Sequence, residues 1–83
     1  MRNYYAELRQ AEKLGKASVR DLLYVFLNEI EEEKDVNELD RLMEDISYLI
    51  IISGSKELSK MYGELSWEVG RWYSKNVNAF KGE

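Results

Sequence analysis

"EIEEEKDVNELD", residues 29–40, contains neither glycine nor proline, yet the fold depends on whether a helix runs through it or ends within it. Upstream, Val19, Leu22, Leu23, Phe26, Leu27 and Ile30 recur at the spacing of one helix face. Downstream, Val36, Leu39, Met43, Ile46 and Ile50 do the same. At about 100° per residue the two stripes lie on opposite sides of a single straight helix. One rod cannot bury both against the same core, so the phase places a break at Lys34–Val36. Asp35 followed by Glu38 reads as a fresh N-terminal cap. The competing reading is one helix over residues 18–52 shared between two subunits.

Other boundaries follow from local chemistry. Tyr4, Leu8 and Ala11 share a face of a first helix that Gly15 ends. Ser18, with Asp21 three residues later, reads as the cap of the second. Ser53-Gly54-Ser55 closes the third, and Ser55 caps the fourth, whose core stripe is Leu58, Met61, Tyr62, Leu65, Val69, Trp72 and Tyr73. The expected fold is all-α. It is a small antiparallel bundle of four helices at about 2–14, 18–33, 36–52 and 56–75, forming one domain over 1–83. Dimerisation is one way to complete it. The pattern predicts roughly 70–80% helix.

Composition narrows the chemistry. Apolar residues make up 45% and charged residues 34%, the balance of a folded domain. At 83 residues, burial is limited to about 60–65% of the unfolded surface. Cysteine is absent, so no disulfide or thiolate chemistry is available. Histidine is absent too, which removes the commonest general base and metal ligand. The longest apolar run, "YLIII" at 48–52, is far short of the roughly 20 residues that span a bilayer. A cytoplasmic, membrane-free protein is expected, with no cofactor.

Carboxylates at same-face spacing, such as Asp40 with Glu44, raise a second possibility: a small metal-dependent all-α hydrolase. The di-metal bundle pattern needs Glu-x-x-His, which cannot occur here. An EF-hand loop from Asp35 would have Asp40 at its glycine position and Ile46 at its glutamate position. No catalytic residue and no metal ligand is assigned.

Charge is uneven. Residues 29–45 hold nine acidic and two basic side chains. In an up-down-up-down bundle this acidic junction shares an end with Arg2, Arg71, Lys75 and Lys81. The other end collects Lys13, Lys16, Arg20, Lys56 and Lys60, the candidate phosphate or nucleic-acid contacts. Residues 11–27 superficially resemble a helix-turn-helix, but Asp21 and Tyr24 fall where apolar residues are needed. A net charge of −4 also disfavours phosphate binding, leaving a nucleic-acid regulator as the first alternative function.

The fourth helix carries the feature that favours another function. Ser59, Gly63, Ser66 and Gly70 form a strip beside the core stripe, and Trp67 lies beyond it, almost opposite the core. Each helical glycine costs about 1 kcal/mol against alanine. Such a strip lets another backbone approach closely. That backbone belongs either to helix one or helix three of the same chain or to a second molecule. Tyr24, Tyr48 and Ile52 are also displaced from their core stripes. Ser59, Gly63, Ser66, Trp67, Gly70, Tyr24, Tyr48 and Ile52 are therefore the candidate interface. The expected function is a small non-enzymatic interaction or adaptor protein that forms a homodimer or binds another protein.

Overall fold

The computed structural model of the chain describes residues 2–80, with side chains through Val77. Four helices follow in order: α1 Tyr4–Glu12, α2 Lys16–Glu33, α3 Val36–Ile52 and α4 Lys56–Phe80. Helix accounts for 87% of the described residues, more than the sequence pattern gives, because α4 runs well past residue 75.

The break falls at Lys34–Val36. Lys34 adopts the left-handed conformation (φ 53°, ψ 39°). Its N–H donates to the Glu31 carbonyl at 3.1 Å, and the Asp35 N–H donates to the Ile30 carbonyl at 3.3 Å. This pair of bonds is a Schellman motif, here built on a lysine where glycine is usual. Asp35 then caps α3, its carboxylate accepting from the amides of Asn37 (3.0 Å) and Glu38 (3.3 Å). The exit of one helix and the entry of the next are thus adjacent residues, and a continuous helix over 18–52 is excluded.

Two sequence readings need correction. α2 starts at Lys16, ahead of Ser18, and Gly15 is its N-cap with no side-chain bond. Gly15 takes φ 114°, a conformation open to glycine, and its carbonyl accepts from the Val19 amide at 3.3 Å. The backbone itself turns the chain into the helix, so no hydroxyl is needed. In α3 the buried residues are Leu39, Leu42, Ile46 and Leu49, whereas Val36 is exposed and Met43 and Ile50 are half-buried. α3 is held on both flanks, by α4 and α1, so the side chains pointing between them are the ones covered. The buried stripes of α2 and α3 are then about a third of a turn apart rather than a half.

Consecutive helices run antiparallel. α1 packs on α2 and α3, and α4 packs on α3 and α2, which sets α1 diagonally from α4. α2 and α4 are parallel neighbours. Lys16 meets Glu64 at 3.4 Å and, one turn on, Arg20 meets Glu68 at 2.7 Å. The core between the helices contains Leu8, Val19, Leu23, Phe26, Leu42, Ile46, Leu49, Tyr62 and Val69, all fully buried. Ser55 caps α4 as read, accepting from the Leu58 amide at 3.1 Å.

Glycine at position 34 removes the left-handed penalty. Lys34→Gly is expected to raise unfolding free energy by about 0.5–1 kcal/mol. Asp35→Ala is expected to lower it by about 1 kcal/mol. Urea denaturation followed by circular dichroism checks both; a Lys34→Gly protein less stable than wild type contradicts the assignment of this turn.

Candidate functional site

α4 is amphipathic in an unusual way. Its inner face carries Met61, Tyr62, Leu65 and Val69, all buried. Its outer face carries Trp67 with 75% of its surface exposed. Trp67 borders two shallow hollows. One is lined with it by Ser66, Gly70, Arg71 and Ser74. The other lies towards α2 and includes Lys16, Arg20, Glu64, Glu68 and Arg71.

Within the chain the strip is half covered from Ser59 to Ser66 and exposed at Gly70. The Ser59 hydroxyl donates to the Ile50 carbonyl of α3 at 3.2 Å. Further along, a Cβ placed on Gly63 or on Gly70 would meet nothing within 4 Å. Helix one does not pack along this helix, and helix three touches the strip without filling it. Nothing packed against these two positions in the chain requires a residue without a side chain there.

The remaining interface candidates are dispersed. Tyr24 is half-buried on α2, and its hydroxyl donates to Glu68 at 3.4 Å. Tyr48 is exposed on α3, its ring 5.6 Å from that of Tyr5 on α1. Ile52 is half-buried against the core. These three belong to other faces than Trp67. The sequence reading also passed over Ile51, 80% exposed, because it sits inside a continuous apolar run where phase is hard to read. Arg71, read in sequence as lying at the acidic end, and Ser74 line the hollow beside Trp67.

The basic end is largely neutralised. Lys16 and Arg20 pair with Glu64 and Glu68. Lys16 and Lys60 border a cleft that also contains Glu12, Glu57 and Glu64. Lys13 and Lys56 are exposed. At the other end Arg2 meets the acidic junction, pairing with Glu29 and with Glu7 (3.2 Å). Arg71 stands instead beside Trp67 on the outer side of α4, and Lys81 lies outside the described residues.

The carboxylates act as fasteners. Among the described residues no group of three acidic side chains could hold a metal ion. The Asp35 carboxylate, where an EF-hand loop would begin, caps α3. The Glu12 carboxylate accepts from the Tyr62 hydroxyl, joining α1 to α4 across the diagonal. Glu38 accepts from the Tyr4 hydroxyl at 2.7 Å and from Arg41 at 2.6 Å, and Arg41 also donates to the Arg2 carbonyl at 3.1 Å. The hydrogen bond from Tyr4, followed by that from Arg41, holds the Glu38 carboxyl below the ordinary glutamate range. Burial, reinforced by the neighbouring carboxylate, pushes the phenols of Tyr4 and Tyr62 well above the ordinary tyrosine range.

No protein-family model, curated protein or solved structure matches the chain. Geometry alone must carry the functional reading, and Trp67 with its adjoining hollow is the feature the fold does not use.

Two measurements follow. Gly63→Ala and Gly70→Ala are each expected to raise folding stability by about 1 kcal/mol, since the added methyl meets open space; a loss in urea denaturation would show that the positions are filled. Glu38, with a lowered folded value, contributes stability that is present above the ordinary glutamate range and lost as pH falls through its folded value. The Glu38 carboxyl resonance should titrate lower in wild type than in Tyr4→Phe; equal midpoints exclude the bond's effect.

Proposed function

We propose that this chain is a small non-enzymatic protein-binding module that associates through the outer face of α4. The observation that carries this reading is Trp67, three-quarters exposed beside an open hollow over Gly70. Tryptophan is enriched among the anchors that dominate interface energetics. A large aromatic ring left in water forgoes the burial that makes it useful inside a protein. Beside it the helix gives up side chains at two positions where its own fold asks for none. Both features make sense when a partner covers the face: the ring gains burial, and the glycines let the partner's backbone come close.

The reading also fits what the rest of the molecule does with its reactive groups. Tyr4, Tyr62 and the carboxylates of Glu12, Glu38, Glu64 and Glu68 are engaged in holding helices together. With no helix among the described residues long and apolar enough to cross a membrane, we place the protein's action in the cytoplasm.

Sedimentation equilibrium tests the proposal. Trp67→Ala should weaken association by about 1–3 kcal/mol, the range of an interface anchor. Gly70→Leu should abolish it while leaving the fold intact, and should raise thermal stability of the isolated chain, because leucine is the better helix former. A Gly70→Leu protein that is destabilised, or one that associates as before, refutes the role given to this face.

A further inference from the structure

We infer that the occupant of this face is a second copy of the chain, packed antiparallel across α4 so that Trp67 of each protomer seats over Gly70 of the other. This rests on the proposed use of the outer face of α4 and adds the partner and its register. Gly63, Trp67, Gly70 and Ser74 follow one another at spacings of four, three and four, so they lie along one outward line of the helix. Glu64 and Arg71, both exposed, stand seven residues apart on the flank of that line nearer α2.

A two-fold axis perpendicular to two antiparallel helices brings like flanks together and opposite ends together. Glu64 then falls beside Arg71 of the partner subunit, and Arg71 beside the partner's Glu64. The pairing is made twice. Seating Trp67 on the partner's Gly70 leaves Glu64 and the opposing arginine offset by about two residues, roughly 3 Å of helix rise, which such long side chains span. The Glu64 carboxylate already holds Lys16 at 3.4 Å but remains half exposed, open to a second cation. A parallel pairing would instead press the two tryptophans into one space and carry Glu64 and Arg71 of the two protomers to opposite flanks, where neither meets the other. The charges therefore select the antiparallel arrangement. A single helix face is at or below the roughly 800 Å² per partner of a standard interface, so association is expected in the micromolar range.

Charge exchange tests the register. Glu64→Arg and Arg71→Glu each place like charges together at both contacts, and each should weaken self-association at least about tenfold, with helix content by circular dichroism unchanged. The double variant Glu64→Arg/Arg71→Glu should regain the wild-type dimer. An equimolar mixture of the two single variants should form a heterodimer that neither forms alone. Sedimentation equilibrium up to about 100 µM, well above the expected dissociation constant, reads all of these. If Trp67→Ala yields monomer while the charge variants associate normally, the face stands and the antiparallel register is overturned. If Trp67→Ala leaves association intact, the face itself is overturned. A wild-type chain that stays monomeric throughout overturns the self-pairing.

Discussion

At Lys34 and Asp35 a left-handed residue and a capping carboxylate sit side by side, and everything else in the bundle is arranged by that junction. The Schellman bonds end α2 within one residue, and the Asp35 carboxylate starts α3 on the next. A longer connection would let α3 leave at many angles. This one leaves two helices of similar length lying back along each other, each with one apolar stripe turned inward. The acidic side chains crowded around the junction are tolerated because α1 delivers Arg2, and with it the Tyr4 hydroxyl, to the same end. Removing the turn would leave the two stripes of one straight rod facing different directions and no common core for α1 and α4 to join.

α4 is then placed by two kinds of contact. Against α3 it packs with the apolar residues of both helices. Against α2 it is held by a ladder of ion pairs, Lys16–Glu64 and Arg20–Glu68, whose rungs advance in the same direction along both chains. Exposed pairs of this kind contribute little to stability, but Glu68 is buried, so its pairing with Arg20 and its bond from Tyr24 fix the rotation of α4 about its own axis. That rotation is what turns Trp67 outward.

Much of this was legible in the sequence, and what was not has physical reasons. The third helix was read to the residue because both ends carry capping chemistry, Asp35 at one and Ser53-Gly54 at the other. The start of α2 was missed because a glycine backbone did the work expected of a serine side chain. Of the true centre of the α3 stripe, Leu42 was hidden beside the equally apolar Met43, and Leu49 by the apolar surplus in "YLIII", where periodicity alone cannot say which residue faces the core. The same surplus concealed Ile51. For the site, helix geometry was enough to put Trp67 opposite the core and to group Gly63 with Gly70. It could not show that the neighbouring helices do not close on those glycines, since α1 lies across the diagonal and not alongside α4. Nor could spacing alone tell that Tyr24 is tied into the chain by Glu68.

The turn between α3 and α4 has a bearing on how the chain reaches this structure. Only Ser53, Gly54 and Ser55 separate the two helices, and the pair they join packs more extensively than any other in the bundle. Closing so short a loop costs little chain entropy, and contacts made across it are near in sequence. The α3–α4 hairpin is therefore the natural nucleus, with α2 added through its core residues and its ion-pair ladder. α1 is the shortest element and does not pack against α4, so it has the least to offer such a nucleus. On that route the outer face of α4 is presented as soon as the nucleus forms, before the molecule is finished.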